Sequence, residues 1–194
     1  MIVVFDVETA NFFTDPEVGW NNFEALKVSG IGAYVYQTDQ YVFFNESEFR
    51  AAAEFLEQAE LLVGFGISRY DIPVLNATFQ KTLGKAPNLF AKNRVDLLDE
   101  VELVTGRRIS LNRLAQANLG ESKLGNGSEA IGLYREGKLD ELKAYCLKDV
   151  ELTKRLYDRY RMERYFLIPQ RAGEPRRVEF SGKAGLVAHP NLTK

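Results

Sequence analysis

The most restrictive feature of this sequence is an apolar run near its start that ends in two acidic residues. Residues 2–9 have the sequence IVVFDVET, and the run from Ile2 to Phe5 predicts a buried β-strand. Side chains two positions apart on a strand point to the same face, so Asp6 and Glu8 lie side by side. Neighbouring carboxylates at the end of a buried strand repel each other and resist losing water. We therefore expect a compensating cation, either a Lys or Arg from elsewhere in the chain or a metal ion.

The composition limits the class of protein. With 194 residues, of which 45% are hydrophobic and 27% charged, the chain has the make-up of one globular domain. No apolar run approaches the roughly 20 residues that span a bilayer, so no membrane association is expected. The sequence enters the first strand without a secretory signal, and a single cysteine, Cys146, cannot form an internal disulfide. These features predict a cytoplasmic protein.

The histidine content and the charge distribution restrict the kinds of site. One histidine, His189, excludes sites that need two histidines from one chain and weakens histidine acid–base chemistry. A carboxylate site for Mg²⁺ or Mn²⁺ stays open, because these ions prefer oxygen ligands. The formal net charge is −2, yet from Arg159 onward eight Lys and Arg residues stand against three Asp and Glu. This basic segment either contacts phosphates or forms a solvated tail.

Hydrophobic periodicity predicts an α/β fold with a mixed central sheet, an antiparallel meander plus parallel strands, flanked by helices. Strands are expected at 2–8, 28–36, 40–44 and 61–65, with RVDLL at 94–98 as a further short strand or a helix entry. Helices are expected at 46–59, 71–83, 97–105, 110–118, 128–135 and from Lys138 to about Arg161. We expect one domain over residues 1–168 and a basic C-terminal extension over 169–194, because the Pro-, Gly- and Arg-rich stretch 169–177 most resembles a linker.

Two further acids and a tyrosine belong with the acids of the first strand. Tyr145 and Asp149 are four residues apart on the long helix, on a face that overlaps its apolar stripe. An inward-facing acid on a helix requires a compensating cation. Asp71 follows a buried strand and a glycine-containing turn, and taken alone it suits a helix N-cap. Taken together, four acids aimed at one sheet edge predict a negative pocket that two divalent metals about 4 Å apart would neutralise.

Three ordered motifs resemble those of the DEDD exonucleases of the ribonuclease H-like superfamily, in the tyrosine (DEDDy) subclass. The matching segments, over about residues 1–160, are FDVET at 5–9, GFGISRYD at 64–71 and YCLKD at 145–149. The histidine subclass has its histidine where this sequence has Ala144. One departure is Gly66, which stands where many relatives have an asparagine five residues before the second-motif acid.

The resemblance implies a two-metal 3′→5′ exonuclease that hydrolyses phosphodiester bonds. It implies that Asp6 bridges two Mg²⁺ or Mn²⁺ ions and that Glu8 and Asp149 hold the ion that activates the attacking water. Asp71 would hold the other ion, and Tyr145 would orient the water. The substrate would be the 3′ end of single-stranded DNA or RNA. Other segments are similar to stand-alone or helicase-associated bacterial proteins, which adds a helicase or another nucleic-acid enzyme as a candidate partner.

The residues after the first motif usually meet the 3′-terminal nucleotide in this family. The resemblance therefore nominates Thr9, Asn11 and Phe12 as substrate-binding residues. Phe12 suits stacking on an unpaired base, although the aromatic residues of the loop 10–26 also suit pinning that loop to the core. Cys146 is expected to be a small buried helix residue.

Basic residues and one glycine-rich loop supply further candidates for phosphate contact. Arg69 is the candidate adopted here, and Lys123 and Arg113 are others, although single cations of this kind are common on surfaces. The segment KLGNGSE at 123–129 suits either a backbone cradle for phosphate or a plain loop that ends with Ser128 as a helix cap.

Two alternatives to the exonuclease stay open. One is a nucleic-acid-binding or scaffolding module that has the fold without the activity, and the other is a structure-specific endonuclease of the superfamily. The complete set of four acids with Tyr145 favours the exonuclease, because an inactive module has no need to bury that repulsion. The sequence leaves the choice between DNA and RNA open.

Overall fold

The computed structural model describes residues 1–125 and 127–180, which form an α/β fold. The strands are β1 (Ile2–Thr9), β2 (Val28–Val35), β3 (Gln40–Phe44), β4 (Leu61–Gly64), β5 (Asn93–Asp96), β6 (Tyr165–Ile168) and β7 (Arg176–Glu179). The α-helices are α1 (Phe49–Glu57), α2 (Asp71–Leu83), α3 (Leu97–Thr105), α4 (Leu111–Leu119), α5 (Gly127–Arg135) and α6 (Leu139–Glu163). His189 and residues 181–194 of the predicted extension lie outside the described residues.

The main sheet has five strands in the order β3-β2-β1-β4-β5. β1 pairs antiparallel with β2, and β2 pairs antiparallel with β3, which is the predicted meander. β1, β4 and β5 pair in parallel, so the predicted mixed sheet is confirmed. The RVDLL segment contains both the short strand and the helix entry that were predicted for it, because β5 ends at Asp96 and α3 starts at Leu97.

Side-chain alternation along β1 divides the core between the two faces of the sheet. Ile2 and Val4 pack in the cluster that contains the buried face of α6. Val3 and Phe5 pack on the opposite face, in the cluster that contains the buried residues of α1 and α2. Even-numbered positions of β1 therefore face α6. This alternation aims the side chains that follow Val4 on that face, at positions 6 and 8, toward α6.

α6 packs directly on the sheet above a glycine. Gly32 pairs with Asp6 across β1 and β2. A Cβ atom at position 32 would come within 2.7 Å of the Cys146 sulfur atom, so only glycine allows this approach. Although α6 has 25 residues, no helix in the described parts of the chain combines the length and apolarity that crossing a membrane requires.

A hairpin that the sequence analysis missed follows α6. β6 and β7 pair antiparallel as a separate two-stranded sheet. The predicted division between residues 168 and 169 falls between these strands. Phe180 is buried and meets the rings of Tyr160 and Phe166 edge-on, at centroid distances of 5.3 Å in both cases. The first part of the predicted extension therefore packs on the main core.

Candidate active site

One pocket of about 350 Å³ brings together all five residues that were predicted to carry the chemistry. It lies where β1 ends, between the start of α2 and the middle of α6. The five residues are Asp6, Glu8, Asp71, Tyr145 and Asp149. They come from parts of the chain up to 143 positions apart, so the convergence is a property of the fold.

Asp6 and Glu8 face the pocket from the same side of β1. Their carboxylate oxygens and the Cys146 sulfur atom all lie within 4.8 Å of one another. Cys146 is fully buried, and burial raises the pKa of its thiol well above its ordinary value. The thiol stays protonated and donates to the Asp6 carbonyl oxygen at 3.8 Å, so the available ligand atoms are carboxylate oxygens.

Asp71 fastens α2 to β1. Its Oδ1 atom accepts a hydrogen bond of 2.9 Å from the backbone N–H of Val7, between the two acids of β1. The N-cap interpretation of Asp71 is wrong, because Asp71 is the first residue of α2 and Tyr70 holds the cap position. The positive end of the α2 dipole favours a carboxylate there.

Asp96, which the sequence analysis did not single out, shapes the loop that leads to Asp71. Its carboxylate accepts from the backbone N–H of Gly66 at 2.7 Å and of Ser68 at 2.8 Å. It also caps α3 by accepting from Leu98. Gly66 has a φ of +86°, in the left-handed region that favours glycine. An Asp between an apolar strand and a helical pattern was the available signal for this N-cap.

Asp149 has a cationic partner from the loop between α4 and α5. Lys123 forms an ion pair with its Oδ2 atom, and the ammonium lies 5.5 Å from the centre of the Tyr145 ring. Asp149 is only 2% exposed, and its Oδ1 atom has no hydrogen-bond partner among the described residues. The cation expected from the sequence is therefore present as a lysine, with one carboxylate oxygen left unsatisfied.

The acids in the pocket resist ionisation. Burial raises the pKa of Asp6 to about 7, and the charge of Asp149 adds to the effect while Lys123 opposes it. Burial also raises the pKa of Glu8 and Asp71 well above their ordinary values, with Asp6 contributing repulsion to both. Lys123 and Arg108 line the pocket against four carboxylates, so the pocket still favours an additional cation.

The donor set fits hard divalent ions. Four carboxylates converge on one concave site, and the Asp149 Oδ1 atom is buried without a hydrogen-bond partner in residues 1–125 and 127–180. Oxygen donors without a deprotonated thiol or an imidazole match the preferences of Mg²⁺ and Mn²⁺. The hydroxyl of Tyr145 is also buried without a hydrogen-bond partner among the described residues. This hydroxyl is available to a water molecule or a substrate atom in the pocket.

The residues predicted to bind substrate lie around the pocket rather than in its lining. The Thr9 hydroxyl contacts the Asn11 carbonyl at 3.0 Å and the Tyr70 hydroxyl at 3.1 Å. The Asn11 side chain bonds to the backbone of residues 25 and 27, which closes the long loop. Phe12 is 37% exposed, and its ring lies beside Gly127, which lines the pocket. Phe12 therefore borders the pocket mouth.

Arg69 is directed away from the pocket, and other cations line it. Its guanidinium forms ion pairs with Asp99 at 3.1 Å and Glu102 at 2.8 Å, both on α3. Arg108 and Lys123 line the pocket instead. The capping interpretation of Ser128 is also wrong, since α5 already begins at Gly127.

Comparison with known proteins agrees with this architecture. A family model of the RNase H superfamily matches residues 3–161, so the chain belongs to this superfamily and has its nuclease fold. A family B DNA polymerase from the hyperthermophilic archaeon Pyrobaculum calidifontis is similar in structure, with a TM-score of 0.64 at 20% sequence identity. The match covers 82% of this chain but 24% of the polymerase chain, so it concerns the fold. The search among curated proteins found no match.

Proposed function

We propose that this protein is a metal-dependent 3′→5′ exonuclease of the DEDDy type, acting in the cytoplasm on single-stranded DNA or RNA. The observation that carries the proposal is the convergence of Asp6, Glu8, Asp71, Asp149 and Tyr145 on one pocket. The chain's membership of the RNase H superfamily supports a nucleic acid as the substrate.

The four acids would hold two divalent ions, Mg²⁺ or Mn²⁺. Asp6 would contact both ions, Glu8 and Asp149 one of them, and Asp71 the other. Ions held there would lower the pKa of water and stabilise negative charge at the phosphate, which is the chemistry that phosphodiester hydrolysis requires. Tyr145 would orient the attacking water through its hydroxyl, which has no hydrogen-bond partner among the described residues.

The 3′-terminal nucleotide would enter past the loop that follows β1. Phe12 is exposed at the pocket mouth, where its ring can stack on an unpaired base. Thr9 and Asn11 would act indirectly, because their hydrogen bonds hold this loop in shape. Arg69 would reach a phosphate only by leaving its two acidic partners, so Arg108 is the better placed cation. A helicase partner stays a prediction.

The direct test uses 5′-labelled single-stranded DNA and RNA oligonucleotides with Mg²⁺ or Mn²⁺. We expect a ladder that shortens from the 3′ end, is abolished by EDTA and is absent with Asp6→Ala. A matched control is Asp99→Ala, which removes a 36% exposed acid outside the pocket and should keep full activity. Cleavage of a circular single strand would assign an endonuclease instead, and full activity in Asp6→Ala would refute the site.

One observation favours the second candidate, an inactive nucleic-acid-binding module. Lys123 already forms an ion pair with Asp149 inside the pocket, so part of the negative charge is compensated without a metal. The two candidates differ in metal uptake, because a module that relies on Lys123 alone would not bind Mn²⁺ at the acid cluster. Absence of both Mn²⁺ binding and nuclease activity would support the module.

A further inference from the structure

A second cavity of about 190 Å³ lies beside the candidate active site and has four arginines in its lining. It forms where the loop between α3 and α4 meets the segment that follows β6. We call it the arginine pocket, and its defining residues are Arg107, Arg108, Arg113 and Arg171. No acidic residue lines it within the described part of the chain.

The arginine pocket has a fixed floor. Val101 and Ile168 are almost fully buried in the main core, and Ile109 packs against the same cluster. Arg107 ties the two walls together by donating to the Gln170 side chain at 3.3 Å. An apolar floor with a cationic rim holds the guanidinium groups around one concave space.

The four guanidinium groups are not neutralised by neighbouring acids. None of them has an acidic side chain as an ion-pair partner in the described residues, whereas Arg69 and Arg155 each pair with two acids. Like charges that converge on a cavity repel each other, so an anion bound there would be stabilised. Guanidinium forks match the geometry of phosphate oxygens.

Arg108 connects this cavity with the catalytic pocket, because it lines both of them. The two cavities are therefore neighbours on one surface, one rich in acids and the other rich in arginines. A phosphodiester chain has phosphates at regular intervals, so a strand that enters the acidic pocket can place other phosphates in the arginine pocket. A free mononucleotide has no such second contact.

From these observations we propose that the arginine pocket binds backbone phosphates of the strand whose 3′ end lies in the catalytic pocket. The inference rests on the proposed function for the identity of the strand. It gives Arg107, Arg113 and Arg171 a role in substrate affinity, separate from bond cleavage. It also explains how a chain with a formal net charge of −2 can hold an anionic polymer beside four carboxylates.

The test is a triple variant, Arg107→Gln, Arg113→Gln and Arg171→Gln, compared with a charge-matched control. The control replaces three exposed cations on the α1 and α2 side of the sheet, Arg50→Gln, Lys81→Gln and Lys85→Gln. Binding of a fluorescent 20-nucleotide single strand is measured by anisotropy in EDTA over a range of salt concentrations. Because EDTA stops hydrolysis, this reading is independent of catalysis.

We expect the pocket variant to bind the strand at least 10-fold more weakly than the control variant. The plot of log K against log salt has a negative slope, and this slope should be shallower by about 2 in the pocket variant. Each phosphate contact on a single strand contributes about 0.7 to its magnitude, and three contacts are removed. Hydrolysis of a nitrophenyl nucleotide ester, which has a single phosphodiester, should be unchanged. Equal affinities and slopes in the two variants would overturn the inference.

Further measurements distinguish a polymer phosphate from a free phosphate ligand, and they test the strand contact independently of the exonuclease activity. Competition with a mononucleotide or inorganic phosphate should require millimolar concentrations; displacement at micromolar concentration would assign the pocket to a free phosphate ligand and overturn the inference. Loss of strand binding in the pocket variant, without nuclease activity in the unmodified protein, would uphold the strand contact and refute the exonuclease. Nuclease activity in the unmodified protein, together with unaltered strand binding in the pocket variant, would uphold the exonuclease and refute the strand contact.

Discussion

At the scale of single residues, the chemistry of each acid follows from what surrounds its carboxylate. Asp6 is half-buried between the end of β1 and α6, and loss of water there together with the charge of Asp149 raises its pKa to about 7. Asp149 itself is stabilised by Lys123 through one oxygen, while its other oxygen has no partner among the described residues. The metal-free pocket therefore holds protons near neutral pH that a divalent cation would replace.

The first prediction concerns Asp6 and the pH dependence of stability. Between its ordinary pKa of 3.8 and about 7, the folded protein binds more protons at Asp6 than the unfolded chain. The free energy of unfolding of the metal-free protein therefore falls as the pH rises through this window. Asp6→Asn removes this titration, so it should raise the free energy of unfolding at pH 7.5 by about 2–4 kcal/mol.

Urea unfolding in EDTA at pH 5 and pH 7.5 measures this difference, and Mn²⁺ supplies the complementary reading. Added Mn²⁺ should stabilise the unmodified protein at pH 7.5 and leave Asp6→Asn nearly unaffected. An Asp6→Asn protein that is less stable than the unmodified protein at pH 7.5 would contradict the account of the buried acid.

The second prediction concerns the Tyr145 hydroxyl. Because this hydroxyl is buried without a partner among the described residues, Tyr145→Phe removes no internal hydrogen bond and should leave the melting temperature within about 2 °C. The rate of 3′-end hydrolysis should fall about 100-fold at saturating substrate, as for loss of one oriented donor. An equal fall in Mn²⁺ affinity would show that the hydroxyl acts on metal binding rather than on the attacking water, and would contradict this role.

At the scale of elements, the site depends on how α6 and α2 meet the end of β1. Gly32 lets α6 approach the sheet, and Asp71 draws the first turn of α2 onto Val7. Asp96 fixes the intervening loop by accepting from Gly66 and Ser68. The carboxylates therefore stand on rigid elements, which suits a site that must hold ions against their mutual repulsion.

The sequence predicted these elements well where periodicity was strong. β1, the hairpin of β2 and β3, and α6 were all expected near their observed bounds, because each has a clear apolar pattern. β6 and β7 have four residues each and are separated by a Pro- and Gly-rich stretch, so local signals favoured a linker. Pairing between such short strands is a tertiary effect that a single sequence does not display.

The partners of charged residues were less predictable, because they join distant positions. Lys123 is 26 residues from Asp149, and nothing in the local pattern connects them. Arg69 precedes an acid of the second motif and was expected at a phosphate, yet two acids of α3 hold it elsewhere. The acids themselves were predictable because burial beside an apolar strand or stripe is visible in the sequence.

The third prediction concerns the loop between α4 and α5 and its lysine. A metal ion at Asp149 must compete with the ammonium of Lys123, so Lys123→Met should raise Mn²⁺ affinity about 10-fold. The metal-free variant should lose about 1–3 kcal/mol of stability, because a buried acid loses its partner. Calorimetric titration with Mn²⁺ measures the affinity. Lys148→Met, which breaks ion pairs outside the pocket, is the control and should bind Mn²⁺ normally.

A weaker Mn²⁺ affinity in Lys123→Met would contradict this competition. It would indicate that the lysine orders the pocket for the metal rather than standing in for it.

At the scale of the whole molecule, the described residues form one packed body with two neighbouring pockets, one lined by acids and the other by arginines. The candidate active site lies at the end of β1, and the arginine pocket lies beside it, with Arg108 lining both. The hairpin of β6 and β7 supplies one wall near the arginine pocket, since Ile168 is its last β6 residue and Arg171 follows. The packing of the hairpin and the proposed binding of a nucleic-acid strand are therefore linked by position.

The fourth prediction tests whether the hairpin belongs to the cooperative core. Phe180 is buried against Tyr160 and Phe166, so Phe180→Ala should cost about 3 kcal/mol in the free energy of unfolding. The transition in urea should stay single, because the hairpin and α6 share one cluster. Met162 on α6 is 81% exposed, so the control Met162→Ala should change the free energy of unfolding by under about 0.5 kcal/mol. Two separate transitions would show that the C-terminal segment folds on its own.

We propose that the cluster of four acids is a two-metal site, and counting the bound Mn²⁺ ions tests this directly. Electron paramagnetic resonance of free Mn²⁺ during titration gives the number of ions per chain for the unmodified protein and for Asp149→Asn. We expect two ions per chain in the unmodified protein and loss of at least one in Asp149→Asn. No saturable binding, or the same binding in the variant, would contradict it.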